Sequence, residues 1–358
     1  MGNFEKMLLN NLKRWNLSEK KPPLVVSFRI TRGCDLRCKF CAPFKESDLK
    51  KELKINDYKK ILQEAHNLGI QYCALVGGGE ALYKKKLTLQ IIDLTKKYNM
   101  VCWLVTNGFN FDEKSIVHLV NIGFDTVLFS IDGSHAKTHD YLRGVTGAFK
   151  KTTHSIQRFN YWKKRLGKVK PTLKVQTLIL KNNYREIEQI LKLIKRLKIQ
   201  HYTINYFVPQ FKEENKFLLN EKEEKGLTNI LKKLIKQKYI KRMTNFEDYL
   251  KVKQIIKKRY NTNNKKDLLS AYCFQPWYHL NISEDGRINV CPEWNRGDRK
   301  KMSHESVKQI WFGRHFDGFR KKIINKEISG FCQNHCNFSV ALENIRISNM
   351  IKHGLRAR

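Results

Sequence analysis

The chain has 358 residues, 41% of them hydrophobic, which is long and apolar enough for two domains with a sizeable core. No apolar run reaches the length of a membrane span, and residues 1–20 mix Leu with Asn, Lys, Arg and Glu where a secretory signal would be uniformly apolar, so a cytoplasmic protein is expected. The net charge of +37 is mostly Lys and is scattered through blocks such as Lys84-Lys85-Lys86 and Lys232-Lys233, a compositional bias that argues for solubility and nonspecific attraction and against a nucleic-acid interface.

Residues 1–22 read as an N-terminal arm with a short amphipathic helix from Phe4 to Leu12, ended by Pro22-Pro23. Residues 23–210 follow as strand-then-helix units. Stretches rich in β-branched and aromatic residues at 24–31, 71–76, 101–106, 126–131, 172–180 and 202–208 are the predicted strands. Helical patterns lie between them at 58–68, 87–98, 112–122, 147–165 and 184–197. This alternation implies parallel strands joined by right-handed crossovers. Residues 211–266 are Lys/Glu-rich and helical in period, notably at 227–235 and 249–257, with a loop at Asn261-Thr262-Asn263-Asn264. They are expected to bridge to the last region and to cover the open side of the barrel. Residues 267–345 form a second domain, in which 277–291 reads as a hairpin turning at Asp285-Gly286. Residues 346–358 are expected to be a basic tail.

The unusual residues fall at the carboxyl ends of the first four strands, where parallel α/β folds collect their active sites. Cys34, Cys38 and Cys41 follow the first strand, Gly77-Gly78-Gly79-Glu80 the second, Thr106-Asn107-Gly108 the third and Ser130-Ile131-Asp132-Gly133 the fourth. Three thiolates on one short loop can hold three corners of an iron–sulfur cube and leave its fourth iron open, whereas structural zinc is normally closed by four ligands. Nine cysteines where thiols stay reduced point to metal sites more than to disulfides. The glycine run is either a tight turn or a place where a ligand approaches the backbone. No Gly-Lys-Ser/Thr follows it, which argues against a nucleotide P-loop. Gln176, inside the fifth strand, either faces the cavity or is a satisfied core polar residue. Cys73 and Cys102 lie within strands and read as small buried hydrophobes.

The loop Arg32–Cys41, with Phe40 just before its last Cys, resembles the cluster loop of the radical SAM superfamily. The resemblance implies an α/β fold, a partial (β/α)6 barrel. It also implies a [4Fe–4S] cluster on Cys34, Cys38 and Cys41 whose open iron is chelated by S-adenosylmethionine (SAM). Gly78-Gly79-Glu80 is similar to the family segment that contacts the methionine amino group, although Ala81 stands where that segment commonly has Pro. The stretch from Ser130 and Asp132 to Arg143-Gly144 resembles the ribose-contacting segment. Thr106 and Gln176 are carried along as further cofactor-binding candidates. In the last region Cys273, then Gly286, four residues and Cys291, followed by Cys332 and Cys336, resemble the opening of the SPASM and twitch extensions. Four cysteines there match a small α+β domain with one auxiliary [4Fe–4S] cluster, and a structural zinc site is the alternative.

The function this implies is reductive cleavage of SAM to a 5′-deoxyadenosyl radical that takes hydrogen from a small-molecule or peptide substrate, with net oxidation or rearrangement. A low-potential donor such as flavodoxin or ferredoxin would supply the electron. Maturation of a ribosomally made peptide is one alternative. Pterin-precursor cyclisation ranks last, because those enzymes have three auxiliary cysteines and a terminal Gly-Gly, whereas this chain has four and ends in Gly354-Leu355-Arg356-Ala357-Arg358. A non-catalytic, metal-dependent nucleic-acid binder is the competing class.

Overall fold

The computed structural model describes residues 3–41, 52–209, 211–237, 240, 243–259, 268–291, 300–301, 305–327, 332, 336 and 338–356. The six predicted strands form as β1 (Val25–Phe28), β2 (Tyr72–Leu75), β3 (Val101–Thr106), β4 (Thr126–Ser130), β5 (Thr172–Ile179) and β6 (His201–Tyr206). Each pairs in parallel with the next. The side-chain period of two gives each strand two faces with different fates. Along β5, Leu173, Val175, Thr177 and Ile179 are buried, and the residues between them are only half-buried. The buried face packs on the helices of the crossovers, and the other face lines the interior of a partial barrel.

Helix α1 (Asn3–Asn16) precedes the barrel, and α2 (Ile55–Asn67), α3 (Lys85–Lys97), α4 (Glu113–Asn121), α5 (Ala136–Arg143), α6 (Ala148–Arg165) and α7 (Ile187–Arg196) form its outer layer. Their apolar residues recur at helical spacing, as Tyr58, Ile61, Leu62 and Ala65 do on α2. Ring contacts fasten the layers, with Phe28 on Tyr58 at 5.3 Å and Phe129 on Phe159 at 6.0 Å. Burying one such side chain is worth about 1.5–3 kcal/mol before entropy is counted. Helix α4 starts at Asp112, which accepts from Ser115 N at 2.8 Å. Helix α5 stops at Gly144, whose φ of +70° is left-handed. Cys73 and Cys102 are register partners on the helix-facing side and are fully buried, as core residues are.

The predicted hairpin forms as β7 (His279–Ile282) and β8 (Arg287–Asn289), with Gly286 at φ +78° in its turn. It does not stand apart from the barrel. Strand β7 pairs in parallel with β1, so the sheet runs β6-β5-β4-β3-β2-β1-β7-β8 and then β9 (Lys300–Lys301). An open β1 would leave a row of backbone groups unpaired, and β7 satisfies them. Ser27 Oγ donates to its register partner Asn281 Oδ1 at 2.7 Å across this seam.

The bridging region contains α8 (Glu221–Ile235) and α9 (Phe246–Arg259). Between them Asn245 receives Ile204 N at 2.8 Å and donates to Ile204 O at 2.9 Å. The segment therefore covers the outer edge of β6. The loop expected at 261–264 lies outside the described residues. Helices α10 (Val307–Trp311) and α11 (Arg314–Ile324) follow, and α12 (Phe338–Arg356) ends the described chain. The basic tail expected from residue 346 is instead the second half of α12, so a division at 345 falls inside a helix. The reason is apolar spacing: Ile347 and Ile351 are buried against Leu8 and Leu12 of α1, while Arg346 pairs with Asp248 at 2.6 Å on the outer side.

Candidate functional site

The cysteine loop is held on two sides by backbone. Gly79 N donates to Thr31 O at 2.8 Å and Glu80 N to Gly33 O at 2.9 Å, tying the loop to the glycine run. The approach is so close that a Cβ on Gly79 would lie 2.1 Å from Gly33 O. On the other side Arg37 N reaches Arg143 O at 3.1 Å and Lys39 N reaches Leu142 O at 2.9 Å. There a Cβ on Gly144 would lie 2.0 Å from Arg37 O. Buried Glu52 braces the start of the loop, accepting from Thr31 Oγ1 at 2.9 Å and Arg32 N at 2.8 Å, and Arg32 pairs with Glu284 beyond β7.

A cavity of about 740 Å³ opens beside the loop. Cys34, Cys38 and Cys41 line it together with Gly77–Glu80, Thr106, Asn107, Ser130 and Arg143. Its size suits a small-molecule ligand. Asn107 Nδ2 donates to Cys34 Sγ at 3.9 Å, and Arg143 Nη1 to Cys38 Sγ at 3.8 Å. Burial pushes the Cys34 and Cys41 thiols up to about 11, and neighbouring negative charge adds to it. Three thiolates crowded here need a cationic centre to stabilise them, which is the requirement that an iron–sulfur cluster meets. Among the described residues no three His, Cys, Asp or Glu side chains gather closely enough to hold a single metal ion.

Glu80 is buried and organises the strand ends. Its carboxylate accepts from Thr106 Oγ1 at 2.8 Å, Leu82 N at 3.1 Å and Asn107 N at 2.7 Å. Burial raises its pKa, and these hydrogen bonds pull the other way. Thr106 lines the cavity with its hydroxyl already committed to Glu80. Asn107, to which the sequence reading gave no role of its own, joins that network to Cys34.

The segment from Ser130 to Asp132 divides. Ser130 lines the cavity, but Asp132 does not. Asp132 is fully buried, receives Leu178 N at 2.8 Å and pairs with Arg143 Nη2 at 2.6 Å. Strand β4 ends at Ser130, and the chain then turns Asp132 under α5, where it anchors the arginine that faces the cysteines. His139 accepts from Asp132 N through Nδ1 at 3.2 Å, and burial followed by the Arg143 charge pulls its pKa down to about 3. Phe40 also lies off the cavity. It packs with Leu142, Leu180 and Phe217, 5.5 Å beneath the Arg143 guanidinium. Gln176 faces inward and is hydrogen-bonded, to Ser130 Oγ at 3.3 Å and from Asn205 Nδ2 at 3.4 Å. In the sequence Arg143 stood only within the stretch that resembles the ribose-contacting segment. Its pairing with Asp132 is a tertiary fact.

In the C-terminal region all four cysteines, Cys273, Cys291, Cys332 and Cys336, are half-buried. Asn344 of α12 donates to Cys273 Sγ at 3.8 Å and receives Phe274 N at 2.6 Å. Tyr206, at the end of β6, donates to Cys336 O at 3.0 Å. The auxiliary cysteine segment is thus tied directly to the barrel's last strand.

Comparison with known proteins agrees with this geometry. The protein-family model of the radical SAM superfamily matches residues 28–215, and that of an iron–sulfur cluster-binding domain matches 273–337. An AdoMet-dependent heme synthase of Methanosarcina barkeri is 28% identical over 188 residues, 52% of this chain and 51% of that protein. The sporulation killing factor maturation protein SkfB of Bacillus subtilis is 29% identical over 140 residues, 38% of this chain and 33% of that protein. The chain thus spans about half, or less, of these curated relatives. Streptococcus suis SuiB bound to precursor peptide SuiA shares the fold, with a TM-score of 0.66 at 16% identity over 86% of this chain and 69% of that one. Because the superfamily match covers more than half of the sequence and the three loop cysteines meet in one cavity, this chain belongs to the radical SAM superfamily.

Proposed function

We propose that the protein is a radical SAM enzyme that modifies a peptide by hydrogen abstraction, with a second iron–sulfur centre in its C-terminal domain. The observation that carries this reading is the cavity where Cys34, Cys38 and Cys41 meet the glycine loop and the ends of β3 and β4. Cys34, Cys38 and Cys41 would hold a [4Fe–4S] cluster, which would supply the electron for reductive cleavage of SAM and so for hydrogen abstraction from the substrate. The chain's own residues do the rest. Asn107 and Arg143 donate to two of the sulfurs and hold them in place. Gly78, Gly79 and Glu80, which line the cavity, would receive the SAM ammonium. The Ser130 hydroxyl addresses the ribose, with Gln176 holding its orientation. Cys273, Cys291, Cys332 and Cys336 hold the auxiliary [4Fe–4S] cluster. With four thiolates as ligands, such a cluster would serve as structural support or as an electron acceptor in a net oxidation.

A peptide substrate is supported by the match to SkfB, a maturation protein, and by the fold shared with SuiB, a structure that contains a precursor peptide. The inward face also offers Gln176, Thr203 and Asn205, groups that match peptide amides. The electron comes from a low-potential donor such as flavodoxin or ferredoxin. Among the described residues no helix is long and apolar enough to cross a membrane, and we place the protein in the cytoplasm.

The test is anaerobic reconstitution with iron and sulfide, SAM and reductant, followed by quantification of 5′-deoxyadenosine. The expected content is ~8 Fe per chain for two cubes. Changing Cys34, Cys38 and Cys41 together to Ala should leave about half the iron and abolish cleavage. Cleavage retained by that variant would overturn the assignment.

A further inference from the structure

The inward face of β5 carries a cation that the site described above does not use. Lys174 lies between Leu173 and Val175, both of which pack into the helix-facing core, so Lys174 shares the inward face with Gln176 and Leu178. Among the described residues no carboxylate, acceptor or aromatic ring pairs with it. It is more than half-buried, and burial alone lowers its pKa. A partly desolvated ammonium with no partner is a standing cost to the fold, and an arriving anion would offset it.

Register places this cation two strands beyond Val105, on the same inward wall. Val105, Leu128, Lys174 and His201 are successive partners across β3, β4, β5 and β6. Val105 lines the cysteine cavity, and Lys174 stands two strand spacings away, about 9–10 Å between backbones. One step nearer the strand ends, Ser130, Gln176 and Thr203 form the next row, in which Gln176 donates to Ser130 and accepts from Asn205 one step further on. His201, an exposed residue at the start of β6, has its pKa lowered by partial desolvation and then by the Lys174 charge. A substrate entering between the SAM cavity and β6 therefore meets polar amides above and a lone ammonium below.

We propose that Lys174 receives a carboxylate of the substrate, either an acidic side chain or a free C-terminus, and that this contact sets which substrate carbon faces the cysteine-lined cavity. The proposal rests on the peptide reading given above and narrows it to peptides with a carboxylate at the reacting end. A charge-assisted hydrogen bond in a partly dry interior is strong enough to select a register along a peptide. The bland alternative is a lysine whose stem covers apolar wall while its head reaches water. It predicts no preference for acidic ligands.

The experiment titrates anaerobically reconstituted, SAM-loaded protein with three pentapeptides. They are Ac-Gly-Ala-Glu-Ala-Gly-NH2, its Gln counterpart, and the Gln peptide with a free C-terminus. At least tenfold tighter binding of one carboxylate peptide than of the amidated Gln peptide is expected, and the better of the two identifies the source of the carboxylate. Lys174→Met should erase the preference and Lys174→Arg should keep it. Circular dichroism and iron content check folding, and Lys174→Gln replaces Lys174→Met if that variant does not fold. Equal or absent binding of all three peptides, or a preference that survives without the lysine, overturns the proposal. Wild-type 5′-deoxyadenosine formation, measured on the same samples, separates the two readings: its absence counts against the enzyme assignment, while cleavage without carboxylate preference counts only against Lys174.

Discussion

Arg143 Nη2 lies 2.6 Å from Asp132 Oδ2, and Nη1 of the same guanidinium lies 3.8 Å from Cys38 Sγ. One buried carboxylate thereby fixes the cation that faces the cysteine loop. Burial would pull the guanidinium toward neutrality, and the Asp132 charge overcomes it. The pair makes Asp132 a structural residue in a segment that resembles a nucleoside contact. Asp132→Ala should therefore act first on stability. Breaking a buried pair costs about 3–5 kcal/mol, to be read as a fall in the denaturation midpoint. Ser130→Ala should cost under about 1 kcal/mol, because it loses one long hydrogen bond. A stable Asp132→Ala protein with weakened SAM binding would return Asp132 to the cavity.

The glycines at the two sides of the loop should be intolerant of a single carbon. Gly79→Ala and Gly144→Ala each place a methyl about 2 Å from a backbone oxygen, so the cysteine loop has to move. Both variants should lose the iron of the catalytic site while the C-terminal iron stays. Gly318→Ala, in α11 with open space around it, should be neutral or stabilising by roughly 0.5–1 kcal/mol. Iron analysis and thermal melts on the three variants decide this.

Buried His139 and half-buried His279 give the protein a defined acid limit. Burial holds His139 near a pKa of about 3 and His279 near about 4, against an ordinary value of 6.5. Both folded-state values are depressed, so the unfolded chain binds more protons below pH 6.5. Stability should be full above that pH and should fall as pH drops toward 4, by about 1.4 kcal/mol per pH unit for each histidine. Denaturant midpoints measured from pH 8 to 4.5 test the slope. Replacing His279 with Leu should reduce it by about half.

A donor protein that reaches the cysteine loop from its outer side would meet two lysines. Lys39 is exposed there, 4.7 Å over the Tyr141 ring, beside exposed Lys137 and a surface depression of about 520 Å³. An acidic donor should be steered to this face. Lys39→Glu with Lys137→Glu should slow flavodoxin-driven SAM cleavage by about tenfold at low salt, a typical effect of reversing a docking charge. Cleavage driven by dithionite should be unchanged. Equal slowing with both reductants would remove the docking role.

How much was legible depends on the range over which each feature is encoded. The sequence alone determined the alternation of strands and helices, because the periods of two and 3.6 are local to each segment. It also determined the three-cysteine loop and the glycine run, because ligand spacing and backbone permissiveness reside in a few adjacent residues. Asp132, Phe40 and Glu80 stood in the same motifs, yet only the tertiary structure decided what each touches. Asp132 turns away to Arg143, Phe40 packs beneath that arginine, and Glu80 collects donors from the last residue of β3 and the residue after it, 26 and 27 positions ahead. The pairing of β7 with β1 brings Asn281 to Ser27 across 254 residues, which no local pattern encodes. The same holds for the helical end of the chain, where Ile347 and Ile351 find their apolar partners on α1. Burial of the first strand's open edge and of those isoleucines is a property of the assembled surface. It exists only once distant elements have met.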